Sequence, residues 1–198
     1  WLGGFMLSEP GSGSDARALR TRARRDGDDW VLDGSKAWVT NAGVARVFVA
    51  FARTGDGAND ISAFLLDADA EGLHLARMED KMGLRSSKTA AYTLEGVRVP
   101  GRNLLGRAGE GMKVALGSLD RGRLGIAAQA LGMGEGALSS AAGYARERHA
   151  FGRAIGEHQA IQWMLADMHV RLQAGRLLLH RAASAADAGR LTPLMASM

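Results

Sequence analysis

A short run of small and polar residues near the start of the chain has the groups needed to hold a phosphate or the polar edge of a flat ring. The run is Leu7-Ser8-Glu9-Pro10-Gly11-Ser12-Gly13-Ser14-Asp15. Its glycines leave backbone amides free to point at one ligand, and Ser12 and Ser14 add hydroxyl donors. Pro, Gly, Ser and Asp also form ordinary surface turns, and composition alone favours the turn.

A tryptophan and a threonine farther along the chain have the types needed to hold a flat heteroaromatic ring. They lie in the run Trp38-Val39-Thr40-Asn41. In a regular strand, residues two apart share a face, so the Trp38 indole would offer a stacking plane and the Thr40 hydroxyl a hydrogen bond on the same side. For this run taken alone, a core tryptophan beside a β-favouring threonine is the favoured interpretation.

Two further clusters lie in the second half of the chain. Asp120 and Arg123 are three residues apart on a predicted helix, where they would form a local ion pair or, if buried at a cleft, a polar contact with a substrate. Arg148 lies in the run Arg146-Glu147-Arg148-His149-Ala150-Phe151-Gly152, which is followed by Glu157-His158-Gln159. This arginine could clamp a phosphate by bidentate hydrogen bonds, or simply lie at a solvated helix end.

Composition excludes several other chemistries. The 198 residues include no Cys and only five His, which excludes disulfides, thiol catalysis and Cys-based metal sites. The sequence also lacks a phosphate-binding loop with its Lys, a dinucleotide fingerprint and a His pair at metal-ligand spacing. No apolar run approaches the roughly 20 residues of a membrane span, so we expect a soluble protein. The net charge of +4 arises wholly in residues 104–198, which suits a small polyanion as well as nucleic acid.

The hydrophobic pattern divides the chain into two regions of different period. Residues 1–103 alternate β-rich runs with turn signals, which predicts an antiparallel sandwich or partly open barrel. Residues 104–198 have apolar positions at helical spacing, with no proline before Pro193. The predicted strands are 30–32, 36–40, 47–52, 61–66, 73–76 and 91–94, and the predicted long helices begin at 109 and cover 157–188.

Local signals add detail to this division. Asp33-Gly34 is predicted to be a turn between two strands. Gly132, Gly134 and Gly136 predict a close approach of two helices, because each glycine weakens a helix by about 1 kcal/mol that packing must offset.

The two ends of the chain carry their own signals. The chain opens on Trp1, in an apolar run without a polar leader. It stops just after Thr192-Pro193, a pair that is typical of the first turn of a helix. We therefore expect these residues to be the interior of a longer protein.

Five segments follow one another in an order that carries a family resemblance. They are Phe5-Met6-Leu7-Ser8-Glu9-Pro10-Gly11-Ser12-Gly13-Ser14-Asp15, Gly34-Ser35-Lys36-Ala37-Trp38-Val39-Thr40-Asn41, Glu79-Asp80-Lys81-Met82-Gly83-Leu84-Arg85, Leu119-Asp120-Arg121-Gly122-Arg123, and Arg148-His149-Ala150-Phe151-Gly152 with Glu157-His158-Gln159. The chain resembles the acyl-CoA dehydrogenase family over essentially its full length, and most of all the short-chain (butyryl) branch. One such motif is weak evidence, whereas five in the right order are a strong signal.

The resemblance implies an α+β fold in which an N-terminal helical domain, a middle β-domain and a C-terminal up-down helical bundle hold FAD. Residues 1–103 would be the middle domain and residues 104–198 the first half of the bundle, with the N-terminal domain and the end of the bundle absent. The implied reaction is α,β-dehydrogenation of a short-chain acyl-CoA to the trans-2-enoyl-CoA, with hydride transfer to flavin N5. The implied partners are an electron-transfer flavoprotein and further copies of the chain in a dimer or tetramer, in the cytoplasm or, in a eukaryote, the mitochondrial matrix.

The resemblance also implies roles for individual residues. Trp38 would stack on the isoalloxazine ring, and the Thr40 hydroxyl would meet flavin N5. Met6 is larger than the residue usual at its place and is expected to narrow the approach to the flavin edge. The residues implied to contact FAD in the same subunit are Phe5, Leu7, Ser8, Gly13, Ser14, Trp38, Val39 and Thr40. Those implied to contact the FAD of a neighbouring subunit are Arg148, Phe151 and Gln159, and those implied to contact acyl-CoA are Ser14, Asp120, Arg123 and Thr54.

The implied reaction needs a carboxylate base within hydrogen-bonding reach of the substrate Cα. One branch of the family carries this base at the position of Gly122, which has no side chain. We therefore expect no catalytic base in this chain, a base that follows Met198, and no acyl-CoA turnover by these 198 residues alone. Two alternatives stay open. One is an acyl-CoA oxidase or flavin monooxygenase on the same fold, and the other is a DNA-binding flavoprotein, ranked low because the sequence has no Lys/Arg run or basic-aromatic stripe.

Overall fold

The computed structural model describes residues 1–57 and 59–198, which form two compact units. The first unit is Trp1–Leu116 and the second is Gly117–Met198. Within the part of the chain that the structure describes, no helix is both long and apolar enough to cross a bilayer. The β-region followed by long helices that the sequence predicts is confirmed.

The first unit is built on one mixed sheet. Its strand order is β6-β7-β3-β2-β4-β5-β8, and β1 pairs with β4 in parallel beside this path. The remaining pairs are antiparallel except for a single parallel contact of β2 with β4. The strands are β1 Gly3–Met6, β2 Arg22–Asp26, β3 Asp29–Thr40, β4 Val47–Arg53, β5 Ile61–Asp67, β6 Leu73–Met78, β7 Thr89–Val99 and β8 Leu104–Leu105.

The turn predicted at Asp33-Gly34 is wrong, because β3 runs through it as one strand of 12 residues. The chain absorbs an irregularity in the pairing with β7 at Gly34, whose φ is 151°. A Cβ at this position would lie 2.6 Å from Thr21 Oγ1 and 2.7 Å from Thr21 Cα. Glycine therefore lets β3 pass close to the chain at Thr21 instead of turning back.

Alternating apolar residues of these strands fill the core of the first unit. The Phe48 ring meets Tyr92 edge-on at a centroid distance of 5.3 Å, and the Trp30 ring meets Phe64 edge-on at 5.5 Å. Met6 is completely buried in the same core. Its side chain points inward, so the expectation that Met6 narrows the approach to a bound ring is wrong.

A buried ion pair fastens the Leu7–Asp15 run to the sheet. The Lys36 side chain on β3 is fully buried, and its Nζ lies 2.8 Å from Glu9 Oε1. The same oxygen accepts hydrogen bonds from the Thr21 amide at 3.0 Å and the Thr21 hydroxyl at 2.6 Å. Glu9 Oε2 accepts from the Arg20 amide at 2.6 Å. One carboxylate thus ties the run to β3 and to the residues that lead into β2.

The surroundings of this pair shift the pKa of both partners. Burial by itself raises the pKa of the Glu9 carboxyl, but the Lys36 charge and the hydrogen bonds from Lys36, Thr21 and Arg20 outweigh it, so this pKa lies below its ordinary value. Burial lowers the pKa of the Lys36 ammonium, and the attraction of Glu9 offsets only part of that effect.

Two long helices make up most of the second unit. The helix α1, Gly111–Glu147, begins in the first unit and continues through the second, and α2 is Gln159–Asp187. A two-stranded hairpin, β9 His149–Ala150 and β10 Arg153–Ala154, connects them. The short helix α3, Pro193–Ser197, starts with Pro193 and is capped by Thr192 Oγ1, which accepts from the Met195 amide at 3.2 Å.

Glycine allows α1 and α2 to approach closely, as predicted, but at one of the three predicted positions only. A Cβ at Gly134 would lie 2.7 Å from Leu172 Cδ2 of α2, and a Cβ at Gly175 would lie 2.9 Å from Leu131 Cδ2 of α1. Among the residues described, nothing lies within 4 Å of a Cβ built at Gly132 or Gly136. The contact is therefore reciprocal, with one leucine of each helix packed on a glycine of the other.

The close packing at Gly4 gives a first prediction. A Cβ there would lie 2.5 Å from Cδ1 of the buried Phe48 ring and 3.0 Å from the Thr40 carbonyl oxygen. Gly4→Ala should lower the free energy of unfolding of the full-length protein by about 1–3 kcal/mol, since neither the ring nor the strand can easily move. Gly3→Ala is the matched control, because its Cβ meets only Val47 at 3.7 Å. Equal urea midpoints for the two variants would contradict this account.

The ion pair gives a second prediction, on acid stability. A carboxyl whose pKa is lower in the folded than in the unfolded state stabilises the fold above the unfolded value, and this stabilisation is lost as pH falls through the folded value. The unfolding free energy of the parent should therefore fall more steeply than that of Glu9→Gln below the ordinary pKa of 4.5. At neutral pH, Glu9→Gln should cost about 3 kcal/mol, because it leaves Lys36 buried without a counter-charge.

The control for this measurement is Asp56→Asn, which removes one partner of the exposed Arg22–Asp56 pair. It should keep both the stability of the parent and its steep dependence on pH. Urea unfolding at several pH values measures all three proteins. A parallel pH dependence of the parent and Glu9→Gln would show that the Glu9 carboxyl does not have the lowered pKa.

Candidate functional site

Trp38 and Thr40 present their side chains to the outside of the sheet. The Trp38 side chain is 56% exposed and Thr40 is exposed, whereas Val39 between them is completely buried in the core. The φ of Trp38 is 55°, a left-handed conformation that costs a bulky residue about 1–3 kcal/mol. The pairing of β3 with β7 shifts at this point, so the strand is not the regular one from which the sequence argument started. Trp38 is nevertheless not a core tryptophan.

The end of β1 and the residues after it lie beside this bulge. The Ala37 amide donates to the Ser8 carbonyl at 2.9 Å, which holds Ser8 next to Trp38. Phe5 is half-buried, with its ring 4.9 Å from that of Phe51. Leu7 is buried in a second apolar cluster. Leu7 and Val39, both predicted to contact FAD, therefore offer a ligand little more than their backbone.

The glycine-serine run combines a turn with unused donors. Glu9 and Ser12 close the turn by two backbone hydrogen bonds of 2.9 and 3.1 Å, and the Ser12 hydroxyl donates to the Asp15 carbonyl at 2.7 Å. Gly13 and Ser14 are exposed, and no hydrogen bond among residues 1–57 and 59–198 uses their amides or the Ser14 hydroxyl. The predicted turn is therefore present, and among the described residues it leaves the amides of Gly13 and Ser14 available to a ligand.

Arg53 holds the chain that follows this run. Its guanidinium donates to the carbonyls of Arg17 at 2.5 Å, Leu19 at 2.9 Å and Gly57 at 2.9 Å. These three bonds fix the short helical turn that leads away from Ser14. Thr54, predicted as a substrate contact, lies next to Arg53 and has its hydroxyl 2.8 Å from Ser62 Oγ, so that hydroxyl already has a partner inside the protein.

The second unit places Arg148, Phe151 and Gln159 around the hairpin between α1 and α2. Phe151 and Gly152 form its tip, with φ values of 54° and 79°. The Phe151 side chain is 96% exposed, and Arg148 and Gln159 are exposed as well. Phe151 is an exposed aromatic residue in a left-handed conformation, and the exposed Arg148 lies near it in the chain. This combination is suited to contact a ligand or another chain.

His158 shapes this hairpin and was missed as a site residue. Its Nε2 lies 3.3 Å from the Ala150 carbonyl and its Nδ1 lies 3.1 Å from Arg153 Nη2. The carbonyl only accepts and the guanidinium only donates, so these contacts select the neutral tautomer with hydrogen on Nε2. The His158 ring also meets Phe151 edge-on at 6.0 Å. The sequence feature that could have identified His158 is its position directly before Gln159, a residue predicted to contact FAD.

Asp120 and Arg123 form the predicted local ion pair on α1, with Arg123 Nη1 3.0 Å from Asp120 Oδ1. The same nitrogen donates to Ser197 Oγ of α3 at 3.0 Å. Arg123 also lines a cleft of about 260 Å³ between α1, α2 and α3, whose other walls are apolar side chains such as Leu131 and Leu178. The predicted ion pair is confirmed, whereas contact of this pair with a substrate stays a prediction.

The residues of the first unit fit the flavin that the resemblance implies. A flavin is a flat ring with a polar edge, and it needs an aromatic plane and hydrogen-bond donors beside it. The exposed Trp38 indole supplies the plane. The Thr40 hydroxyl, which makes no hydrogen bond among the residues that the structure describes, and the free amides of Gly13 and Ser14 supply the donors.

Comparison with known proteins identifies the family of the chain. The acyl-CoA dehydrogenase middle domain matches residues 4–97, and the acyl-CoA dehydrogenase C-terminal domain matches residues 109–198. The mitochondrial short-chain specific acyl-CoA dehydrogenase of Rattus norvegicus is 50% identical over 188 residues, which are 94% of this chain and 46% of that protein.

Solved structures show the same relationship. Butyryl-CoA dehydrogenase from Megasphaera elsdenii superposes with a TM-score of 0.94 at 39% identity, over 98% of this chain and 52% of its own. The prolyl acyl carrier protein oxidase AnaB superposes with a TM-score of 0.96 at 33% identity, over 100% of this chain and 53% of its own. The chain spans about half the length of the proteins it matches. With both domain models in the expected order, it belongs to the acyl-CoA dehydrogenase family.

Proposed function

We propose that the protein containing this chain is an FAD-dependent acyl-CoA dehydrogenase that converts a short-chain acyl-CoA to its trans-2-enoyl-CoA. The observation that carries the proposal is the Trp38–Thr40 pair. Trp38, with its left-handed backbone, and Thr40, whose hydroxyl makes no hydrogen bond among the described residues, both face outward around a buried Val39. The 50% identity to a short-chain acyl-CoA dehydrogenase supports the choice of substrate.

In this proposal the residues of the first unit bind and orient the ring. Trp38 packs on one face of the isoalloxazine, and the Thr40 hydroxyl donates a hydrogen bond to its N5 edge. The open amides of Gly13 and Ser14, with the backbone at Leu7, Ser8 and Val39, face its polar edge. FAD, when bound, accepts the hydride that leaves the substrate Cβ.

In this proposal the α-proton goes to a carboxylate, and neither Gly122 nor Asp120 is suited to supply it. Gly122 has no side chain, and among the residues described nothing lies within 4 Å of a Cβ built there. Asp120 is engaged by Arg123 at 3.0 Å, which suits a contact with the substrate more than a base. Because the chain spans about half the length of the relatives it matches, we propose that the base lies in a part of the protein outside these 198 residues, which alone should not turn over acyl-CoA.

The second unit contributes to binding across an oligomer. Arg148, Phe151 and Gln159 would contact the FAD of a neighbouring subunit, so a dimer or tetramer is part of the proposal. Asp120 and Arg123 would contact acyl-CoA, with Thr54 a weaker candidate because its hydroxyl is already bonded to Ser62. The electrons would pass to an electron-transfer flavoprotein, in the cytoplasm or, in a eukaryote, the mitochondrial matrix.

The test of the proposal is an anaerobic titration of the purified full-length protein with butyryl-CoA. The visible absorbance of bound flavin should bleach, and crotonyl-CoA should form in equal amount. A protein that binds no flavin, or whose flavin is not reduced by any short-chain acyl-CoA, would overturn the proposal.

The likeness to the oxidase AnaB favours one second candidate, an oxidase on the same fold. The two enzymes share the reductive half-reaction and differ in what reoxidises the flavin. Mixing the reduced, product-bound protein with oxygen in a stopped-flow instrument separates them. Slow reoxidation supports the dehydrogenase, whereas fast formation of hydrogen peroxide supports the oxidase.

Thr40 gives a prediction for the chemical step. Thr40→Ala removes the donor to N5, and a preorganised donor to a developing charge contributes about a hundredfold to the rate. Flavin reduction by butyryl-CoA in single-turnover mixing should slow by about that factor, with little change in stability because the side chain is exposed. Thr93→Ala on β7, which has no proposed role at the flavin, is the control. Equal rates for the two variants would remove Thr40 from the site.

The hairpin gives a prediction for cofactor retention. Arg148→Ala should raise the dissociation constant of FAD by at least about tenfold, since it removes a charge-assisted contact to phosphate. Arg146→Ala is the control, because Arg146 is equally exposed at the end of α1 but lies outside the predicted contacts. Fluorescence titration of the flavin-free protein measures both, and light scattering checks that the oligomer is intact. An unchanged FAD affinity in Arg148→Ala would exclude the inter-subunit contact.

A further inference from the structure

Lys36 is a buried charge for which the proposed mechanism has no use. Its side chain is fully buried, and its Nζ donates to the Glu9 carboxylate at 2.8 Å and to the Leu7 carbonyl at 3.4 Å. Apolar residues of similar volume can replace many buried ion pairs without loss of stability. Stability alone therefore does not explain this pair, and its position suggests another role.

The pair lies directly beside the irregular part of β3. Lys36 pairs with Tyr92 of β7, but Val39 pairs with Ala90. Two residues of β3, Ala37 and Trp38, therefore face the single residue between those partners, which is a β-bulge. The left-handed φ of 55° at Trp38 belongs to this bulge.

Both sides of Trp38 are anchored. On one side the Lys36 ammonium is fixed by Glu9, and the Ala37 amide donates to the Ser8 carbonyl at 2.9 Å. On the other side Val39 and Thr40 are held in register by β7. A bulky residue stays in a left-handed conformation only where its surroundings fix it. Loss of the anchor at Lys36 would remove one of these constraints on the left-handed conformation of Trp38 and so on the plane of its indole.

We propose that Glu9 and Lys36 are positioning residues, whose buried contact holds the Trp38 indole plane at the angle required for stacking on the cofactor ring. The contact also sets the distance between Trp38 and the Leu7–Asp15 run, since Glu9 belongs to that run. That the ring is a flavin rests on the function proposed above. The orientation of Trp38 itself does not, because the bulge and its anchors lie wholly within this chain.

The test uses the double variant Glu9→Gln/Lys36→Met in the full-length, flavin-free protein. It removes both charges with little change in volume, so neither partner is left buried without a counter-charge. Introducing Trp38→Phe into each background gives the contribution of Trp38 to the near-ultraviolet circular dichroism by difference. The matched control is Asp56→Asn/Arg22→Met, which removes the exposed pair.

The proposal expects the Trp38 signal to fall by about half or more in the double variant and to stay unchanged in the control, because only the first loses the anchor of the bulge. A full Trp38 signal in a folded double variant overturns it. If that variant does not fold, Thr21→Val decides, since it removes the 2.6 Å bond that steadies Glu9 and, besides it, only the long 3.4 Å contact of the same hydroxyl with the Ser35 carbonyl. A loss of the Trp38 signal in Thr21→Val, even one smaller than half, supports the proposal. An unchanged Trp38 signal in this variant overturns it.

A second readout separates positioning from stability. With FAD bound, flavin reduction by butyryl-CoA should slow by about tenfold in the double variant even where its unfolding free energy equals that of the control. An unchanged rate overturns the role in stacking. If the parent protein binds no flavin, the proposed function fails, while the Trp38 signal of the flavin-free protein still decides whether Glu9 and Lys36 orient the indole.

Discussion

The contact between Glu9 and Lys36 is the constraint on which the geometry of the first unit depends. Two charges lie out of water here, and this arrangement is tolerable only because the carboxylate also accepts three hydrogen bonds, from the Thr21 amide and hydroxyl and from the Arg20 amide. The run from Ser8 to Asp15 has few apolar side chains to bury. Its place is therefore fixed by polar bonds that have direction, whereas apolar contacts alone would leave it free to slide.

This constraint explains how the unit combines a tight core with an open ligand surface. Val39 and Met6 pack inward, whereas Trp38 is exposed and Ser8 is half-buried. The packing of the core offsets the free-energy cost of the left-handed conformation of Trp38. The proposed flat-ring site would lie on the outside of the sheet, which is consistent with the buried side chains of Leu7 and Val39, two residues that were expected to touch the cofactor.

The sequence predicted the β-region, the long helices and the capped start of α3, because each depends on periodicity or on neighbouring residues. It could not predict the path of β3. Asp33-Gly34 has turn chemistry, and only the crowding at Thr21 shows that Gly34 is needed within a strand. The bulge at Trp38 depends on the register of β7, and Lys36 finds its partner 27 residues away. The roles of the candidate site residues could be predicted only from the family resemblance, because each cluster taken alone favoured an ordinary turn, core residue or helix end.

The interlock of α1 and α2 has a mechanical consequence. Leu172 packs on Gly134 and Leu131 packs on Gly175, so sliding one helix along the other by a turn would drive leucines against larger side chains. The two helices are therefore held in one register relative to each other, and the hairpin at Phe151 that connects them is held in place at their ends. A ligand or chain that contacts Phe151 meets a tip whose position depends on packing about twenty residues away along the chain, so substitutions in the helices can shift the tip without contacting it.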